Sequence, residues 1–377
     1  MDQTEKLLEL YVTVTLYCVA PTMKVIIGLS GGVDSSVAAL LLKNEGHEVT
    51  GVTMKIWCPG KYAGGDRDAC FSAGEDEDVA AAEALCARIN IPYRAFDCSE
   101  QYDDLIVSHF RDEYMSGRTP NPCVRCNAMM KFGLLPAMAT AAGIDFEHFA
   151  TGHYARTDAQ DGRFRLLRAV DLFKDQSYFL YRLAQEQLAR HLFPLGNLTK
   201  EEVRQIARQN NLDAADKPDS QDFYSGDRAE LIGEPDRPGN IVDEFGKVLG
   251  KHNGFWKYTI GQRKGLGISN PLPLYVVELN ACQNEVVVGS VEKTIGHTLV
   301  ADSCNWISIP PPETALNIQI KVRSAGQPIV GAMVRPLGEG YYEARFDSGI
   351  AGVAPGQSAV FFQGDVVLGG GIIRSAK

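Results

Sequence analysis

Short apolar runs alternate with Ala- and Leu-rich segments of helical period over the first half of the chain. Residues 24–27 are mostly β-branched and predict a buried strand, residues 37–42 predict a helix that ends at Gly46, and residues 49–54 predict a second strand. Further helices are predicted over 76–91, 101–114, 127–142 and 199–210, the last with a capping box of Thr199 and Glu202. This alternation is typical of a parallel sheet covered by helices.

The pattern changes in the second half of the chain. Residues 220–294 are rich in glycine and proline with short strand-like runs, which indicates a small compact module. After Gly296 helical periodicity disappears, and five strand-like runs at 318–322, 332–336, 341–346, 358–362 and 366–373 predict a small β-barrel. We therefore predict an α/β domain over 23–218, a central module over 219–295 and a C-terminal β-barrel over 296–377. Residues 1–22 are expected to be a disordered extension or a misassigned start.

Composition narrows the class of protein. The chain has 377 residues, more than one core usually organises, and no apolar run of the roughly 18 residues that span a bilayer, so no membrane partner is expected. Nine cysteines without a secretory signal favour the cytoplasm over a disulfide framework. The net charge is −10, but phosphate affinity depends on local charge, and basic and aromatic residues interleave over 247–264, where they could contact an RNA stem.

A glycine- and serine-rich loop lies between the first predicted strand and the first predicted helix. It reads Gly28-Leu29-Ser30-Gly31-Gly32-Val33-Asp34-Ser35-Ser36. Two adjacent glycines allow a tight turn around phosphate oxygens, and the helix N-terminus adds unpaired N–H groups and a favourable dipole. The spacing differs from that of an ordinary P-loop and of a dinucleotide-binding loop. It predicts a nucleotide phosphate site.

A second segment carries a candidate nucleophile. It reads Arg118-Thr119-Pro120-Asn121-Pro122-Cys123-Val124-Arg125-Cys126-Asn127. The two prolines predict an extended backbone over 119–122, and the helical pattern begins at Asn127. Cys126 is therefore expected near a helix N-terminus, where the dipole, Arg125 and Lys131 would favour the thiolate.

These two segments and four others occur in the order found in one enzyme family. The others are Ala150-Thr151-Gly152-His153-Tyr154, Lys174-Asp175-Gln176-Ser177-Tyr178-Phe179-Leu180, Gly261-Gln262-Arg263-Lys264-Gly265-Leu266-Gly267 and Pro355-Gly356-Gln357. From about Met23 to its end, the chain resembles the tRNA-specific 2-thiouridylases (the MnmA family), which belong to the PP-loop ATPases. The fold that this resemblance implies is a parallel-sheet PP-loop ATPase domain followed by a small central module and a C-terminal β-barrel.

The resemblance also implies an activity. It is the ATP-dependent 2-thiolation of the wobble uridine of tRNA, through an adenylated uridine and with sulfur delivered at Cys126. Adenylation turns the uracil oxygen into a leaving group, after which a persulfide can attack the same carbon. The implied co-substrate is ATP with Mg²⁺, and the implied partners are tRNA and a persulfide donor protein such as a cysteine desulfurase or a relay protein.

Site residues follow from the same resemblance. Cys126 is the implied nucleophile and Asp34 a further catalytic residue. The implied ATP-binding residues are Gly28, Leu29, Ser30, Gly31, Gly32, Val33, Asp34, Ser35, Met54 and Gly152. The implied contacts to the target base and to tRNA are Asn121, Pro122, Cys123, His153, Lys174, Asp175, Gln176, Arg323, Ser324 and Gln357. Because Gly152 and His153 follow a predicted strand, we expect them at the carboxyl edge of the sheet, where α/β folds place ligands.

The chain departs from the family pattern at two positions that concern sulfur. Cys123 stands where the family usually has aspartate, and Tyr224 stands where it usually has a second cysteine. Three interpretations stay open: Cys123 is the partner of Cys126, the two hold an iron–sulfur cluster, or they form a structural zinc site or an inert pair. Cys58 and Cys70 flank a glycine-rich loop and could approach the site, although loop cysteines are usually incidental.

Two other functions also stay open. A different PP-loop enzyme would adenylate a small molecule and would turn over ATP without tRNA. A catalytically diverged tRNA-binding or sulfur-carrier protein would bind tRNA without thiolating it.

Overall fold

A five-stranded parallel sheet organises the first part of the chain, with strand order β3-β2-β1-β4-β7. The computed structural model describes residues 22–62, 69–219 and 223–377, so the predicted extension lies outside it except for its last residue. The strands are β1 Lys24–Gly28, β2 Glu48–Lys55, β3 Tyr93–Asp97, β4 His148–Thr151 and β7 His191–Leu192. Val25, Ile26 and Ile27 of β1 are at most 1% exposed, as expected for a strand with both faces covered.

Helices cover both faces of this sheet. One layer contains α1 Val33–Asn44, α2 Glu75–Arg88 and α6 Lys200–Gln209, and it packs on Val25 and Ile27. The other layer contains two long helical runs that pack on Ile26. The first of these, α3, consists of α-helical Ser99–Tyr102, π-helical Asp103–Val107 and α-helical Ser108–Met115; the second, α4, consists of α-helical Pro122–Cys126, π-helical Asn127–Leu134 and α-helical Leu135–Ala141. The predicted capping box is confirmed, since Glu202 accepts from Thr199 N at 2.7 Å and Thr199 Oγ1 accepts from Glu202 N at 3.3 Å.

Two short α-helices remain among the described residues. Helix α5, Gln185–Ala189, precedes β7 inside the parallel-sheet domain, and α7, Arg228–Ile232, leads from this domain to the central module. The module itself is a four-stranded sheet of order β10-β11-β8-β9, formed by β8 Gly239–Asp243, β9 Val248–His252, β10 Tyr275–Asn280 and β11 Glu285–Gly289. Phe255 and Trp256 are buried in its core and His252 is also buried. Phe255 and Trp256 are therefore core residues that do not face RNA, whereas Tyr258 is half-buried.

The last part of the chain forms a closed six-stranded barrel, because β12 pairs with both β15 and β17. Its strands are β12 Ile295–Asn305, β13 Leu316–Lys321, β14 Ile329–Gly338, β15 Tyr341–Ala351, β16 Ser358–Gln363 and β17 Val366–Ala376. A hairpin of β5 Ala155–Gln160 and β6 Arg163–Arg168 extends this sheet, since Leu167 of β6 pairs with Val366. The predicted fold class is confirmed. In the described part of the chain no helix has the length and apolar character needed to cross a membrane.

Candidate active site

The loop between β1 and α1 is shaped by its serines and glycines. Ser35 Oγ accepts from Ser30 N at 3.2 Å, and Ser36 Oγ donates to Gly32 O at 2.8 Å. Gly31 has a φ of +67°, and a Cβ at this position would lie 2.6 Å from Asp78 O, so only glycine fits. The first-turn N–H groups of α1 have no carbonyl partner within the helix, which leaves them for an anion. Leu29 and Val33 are buried, so of these two only the backbone can contact a nucleotide.

Gly152 and His153 follow β4 directly and lie at the carboxyl edge of the sheet, as predicted. A Cβ on Gly152 would lie 2.7 Å from Ser35 N, so the missing side chain lets the end of β4 touch the phosphate loop. Met54 is half-buried on β2, the neighbouring strand on the other side of β1. The predicted ATP positions on β1, β2 and β4 thus share one edge of the sheet.

Asp34 lies in a cluster of charges beside the loop. Tyr154 Oη donates to its Oδ1 at 2.8 Å, and Lys200 Nζ donates to its two carboxylate oxygens at 2.7 and 2.9 Å. Lys200 also pairs with Asp219 at 2.6 Å, and Lys174 pairs with Asp219 at 2.7 Å. Lysine cations in this position can pair with the oxygens of a phosphate group bound in the loop.

Two of the lysines near the loop were not predicted from the sequence. Lys200 is only 9% exposed at the first position of α6, and Lys217 Nζ donates to Gly31 O at 3.3 Å. In the sequence Lys200 is simply part of a capped helix start, and Lys217 stands next to a proline. Only the packing of α6 on α1 brings Lys200 to the loop.

The helix that carries Cys126 begins earlier than predicted. It begins at Pro122, with Asn121 as its N-cap, and Asn121 Oδ1 accepts from Val124 N at 3.3 Å. Proline is favoured at the first helical position because its fixed φ suits the helix and its missing N–H is not needed there. Consequently Cys123 lies in the first turn, whereas Cys126 lies one turn farther in.

Cys126 lies in a buried pocket lined by Tyr102 and Lys131. Cys126 is 8% exposed, and the Tyr102 hydroxyl donates a hydrogen bond to its sulfur. Burial raises the pKa of Cys126 to about 11, although the Lys131 cation and the Tyr102 hydrogen bond act in the opposite direction. The prediction that its surroundings favour the thiolate is therefore wrong for the free protein: the group is a neutral thiol near pH 7.

Lys131 connects this pocket to the sheet edge. Burial opposes its charge, but interaction with the thiolate forms of Cys126, Cys70 and Cys123 favours it, and the pKa of Lys131 lies above the ordinary lysine value. His153 Nδ1 is 2.9 Å from Thr151 Oγ1, and burial together with the Lys131 cation holds the pKa of His153 well below its usual value. Near neutral pH, Lys131 is therefore charged and His153 is a neutral imidazole.

The predicted tRNA contacts at 174–176 have internal partners. The Asp175 side chain is 1% exposed, and its Oδ1 accepts from Ala169 N at 3.1 Å. Gln176 Oε1 accepts from Tyr154 N at 2.9 Å. These two hydrogen bonds fix the loop that carries Lys174.

The predicted contacts in the barrel lie at the junction of all three parts of the chain. Gln357 Nε2 donates to Thr119 O at 3.0 Å and to Pro120 O at 2.9 Å. Arg323 donates to Gly352 O at 2.7 Å and, like Ser324, is exposed. A cavity of about 380 Å³ opens here, lined by Thr119, Thr259, Ile260, Gly261, Gln262, Val322, Arg323, Gly352, Ala354 and Gln357.

The described residues do not form the metal sites that were left open. Tyr224 is 7% exposed and its hydroxyl donates to Glu230, so it stands in the core as a phenol and not as a thiol. Within the described ranges no three His, Cys, Asp or Glu side chains lie close enough together to hold a metal ion. Among these residues, Cys123 and Cys126 therefore have no third ligand positioned to hold a metal ion with them.

Comparison with known proteins extends the resemblance over nearly the whole chain. Three family models match in order: the tRNA methyl transferase HUP domain at 23–224, the tRNA methyl transferase PRC-barrel domain at 232–290 and the aminomethyltransferase beta-barrel domain at 296–373. A tRNA-specific 2-thiouridylase of Endomicrobium trichonymphae is 47% identical, with coverage of 93% of this chain and 99% of the relative. That of Geotalea uraniireducens is 46% identical, with coverage of 94% and 95%.

The chain belongs to the tRNA-specific 2-thiouridylase family. Among solved structures, an NMN synthetase of Francisella tularensis covers 58% of this chain and 75% of its own, with 18% identity and a TM-score of 0.33. The relatives of the 2-thiouridylase family thus match this chain from the phosphate loop to the barrel.

Proposed function

We propose that this protein replaces O2 of a tRNA uridine by sulfur, with ATP as the activating co-substrate. One observation carries the proposal: neighbouring residues lead from the phosphate loop along the sheet edge toward the buried cysteine. Gly152 touches Ser35 of the loop, and His153 follows Gly152. His153 and Cys126 both lie within electrostatic reach of Lys131. A base held between these groups would have its activating nucleotide on one side and the sulfur nucleophile on the other.

The first half of the reaction is adenylation. The loop holds the pyrophosphate of ATP, and Lys200 and Lys217 offset its charge, so that the α-phosphorus accepts the uracil O2 and pyrophosphate leaves. Mg²⁺ suits such a site because it binds phosphates together with one or two carboxylates, and Asp34 and Asp219 are two of the carboxylates beside the loop. When bound, it would neutralise phosphate charge.

The second half is sulfur transfer at Cys126. A persulfide on Cys126 attacks C2 of the adenylated base, a C–S bond forms, and AMP leaves with the former O2. The Lys131 ammonium group stabilises the persulfide anion. Because His153 is a neutral imidazole, it does not weaken the effect of the Lys131 charge. The persulfide is supplied by a donor protein of the cysteine desulfurase or relay type, and because the substrate is tRNA we propose a cytoplasmic location.

The target base enters beside the start of α4. Asn121, Pro122 and Cys123 are half-buried there, one helical turn from Cys126. A uridine inside a tRNA loop must leave its stack to reach a pocket of this kind. We propose that Lys174, Arg323 and Ser324 hold the surrounding backbone, and that Gln357 fixes the Thr119–Pro120 segment from behind.

Nucleoside mass spectrometry tests the function. Protein, ATP, Mg²⁺, a persulfide donor and unmodified tRNA should yield 2-thiouridine and one AMP per thiolated base. Cys126→Ser should still adenylate tRNA but yield no 2-thiouridine, and Asp34→Asn should yield neither. Cys282→Ser, at an exposed position, serves as the matched control.

The rival functions give other products. AMP formation that does not require tRNA would indicate a small-molecule adenylating enzyme. Tight tRNA binding without AMP formation or thiolation would indicate a diverged carrier protein. Either result contradicts the proposed function.

A further inference from the structure

Three thiols lie around Lys131 and Tyr102. Cys70, Cys123 and Cys126 all act electrostatically on these two residues, and Cys70 acts on Cys126 as well. The ring of Phe71, the chain neighbour of Cys70, contacts that of Tyr102, which places the Cys70 segment beside this group of residues. Cys70 itself is exposed.

The residue after Cys70 explains how it reaches the pocket. Phe71 is fully buried, its N donates to Phe223 O at 3.1 Å, and its ring stacks on that of Tyr102 at 5.2 Å. Tyr102 in turn donates to the sulfur of Cys126. The Phe71 ring also lies 6.2 Å from that of Tyr224, the residue at the family's second-cysteine position. The Cys70 segment therefore packs beside Tyr224, the position at which the family usually has its second cysteine.

We propose that Cys70 is the resolving thiol of this enzyme and takes the place of the cysteine that Tyr224 replaces. The inference rests on the proposed thiolation. After sulfur attack on the adenylated base, the tRNA is joined to Cys126 through a disulfide. Cys70 attacks the Cys126 sulfur, a Cys70–Cys126 bond forms, and the bond to the tRNA sulfur breaks. The electron pair leaves with the 2-thiouridine, and an external thiol later reduces the protein disulfide.

Helix geometry makes Cys123 a less suitable partner. Residues three apart in a helix have Cβ atoms about 5–6 Å apart, whereas a disulfide requires roughly 3.5–4.5 Å. The helix that holds both cysteines is fixed by the Asn121 cap at 3.3 Å and by Arg125 Nε, which donates to Leu105 O at 2.6 Å. Cys70 lies outside regular helix and strand, so it can approach Cys126 with fewer hydrogen bonds broken.

A tryptic map after one turnover separates the two pairings, because Arg125 lies between Cys123 and Cys126. Persulfide-loaded protein is mixed with ATP, Mg²⁺ and tRNA without reductant, alkylated and digested. We expect the peptide 126–131 to be joined to 68–88, with fragment ions that place the bond at Cys70 and not at Cys86. A link between 126–131 and 119–125 would overturn the inference.

Variants provide the second readout. Cys70→Ser should accumulate a protein–tRNA adduct on a non-reducing denaturing gel and turn over roughly tenfold more slowly, until added thiol releases the product. Cys123→Ser should still form the Cys70–Cys126 disulfide. Cys58→Ser is the matched control, because Cys58 lies earlier in the same connection and its thiol donates to Ser99 O at 3.5 Å. Melting curves check that each variant folds.

Three outcomes contradict the inference. If the Cys70→Ser variant turns over as fast as the parent protein without added thiol, the role of Cys70 is contradicted and the proposed function is unaffected. If anaerobically isolated protein holds iron and acid-labile sulfide on these thiols, they bind a cluster and Cys70 is not a resolving thiol. A parent protein that forms no 2-thiouridine contradicts the proposed function and this inference together.

Discussion

At the scale of single residues, the proposed nucleophile Cys126 is a neutral thiol until it receives sulfur. Burial outweighs both the Lys131 cation and the Tyr102 hydrogen bond, so the Cys126 thiol has a pKa of about 11. A neutral thiol in the resting protein is protected from oxidation, because reactivity follows the thiolate. The cation next to it becomes important when a persulfide anion is present.

Replacing Lys131 by methionine tests this arrangement. A cation favours the thiolate, so its loss should raise the pKa of Cys126 further and slow alkylation at any fixed pH below that value. A shift of one unit corresponds to about tenfold at pH 9. The measurement is the iodoacetamide rate against pH, followed by mass spectrometry of the peptide that begins at Cys126. Lys131→Arg should keep the parent profile, as should Lys257→Met in the central module. If Lys131→Met does not shift the profile, Lys131 does not influence the pKa of Cys126.

The sequence identified the residues of this site better than it identified their environment. The glycines of the phosphate loop, Gly152 and Cys126 could be found because each belongs to a short motif. Lys200 could not, because its role depends on α6 packing against α1, which no local pattern records. The burial of Cys126 was missed for the same reason.

At the scale of elements, the start of α4 decides where the two cysteines lie. Asn-Pro is a signature of a helix start, with asparagine as N-cap and proline at the first helical position. The sequence therefore contained the signal, but the two nearby prolines were interpreted as an extended segment. The π-helical stretch Asn127–Leu134 that follows Cys126 has no comparable signature in the sequence.

Removing the cap should disturb the site more than it disturbs the fold. Asn121→Ala should cost about 1 kcal/mol of stability and also reduce thiolation, because the first turn carries Cys123 and leads to Cys126. Asn121→Ser keeps a capping oxygen and should recover the stability. Thr199→Ala removes the cap of α6 at a similar cost and should leave more of the thiolation activity. Chemical denaturation and single-turnover thiolation are the measurements; equal losses of activity in Asn121→Ala and Asn121→Ser would assign the residue to base contact instead.

At the scale of the whole molecule, the barrel contacts the catalytic domain at several places, among them a hydrogen bond from Tyr178 to Ser358 and two further attachments. One is the β5–β6 hairpin, which lies within the predicted catalytic domain but pairs with β17 of the barrel. The two strands of the hairpin are adjacent in the sequence, but their partner β17 lies near the chain end. The order of the three domains could therefore be predicted from the sequence, whereas this pairing could not. The other place is the segment 119–120, which receives two hydrogen bonds from Gln357 and donates one, at 2.8 Å, from Thr119 N to Pro355 O.

Gly356 makes the second attachment testable. It has a φ of +91°, and a Cβ there would lie 2.8 Å from Thr119 O, so Gly356→Ala should push the barrel away from the segment that leads to Cys126. Gly364 is the matched control: its φ is +58° and a Cβ would meet nothing within 4 Å. Both variants should lose about 1–2 kcal/mol of stability from the left-handed backbone, but only Gly356→Ala should also lose tRNA thiolation while ATP binding persists. Nucleotide titration and thiolation rates of the two variants, compared at equal folded fraction, measure the difference. If Gly356→Ala thiolates tRNA as fast as Gly364→Ala, the barrel does not position the catalytic segment, and Gln357 acts on tRNA directly.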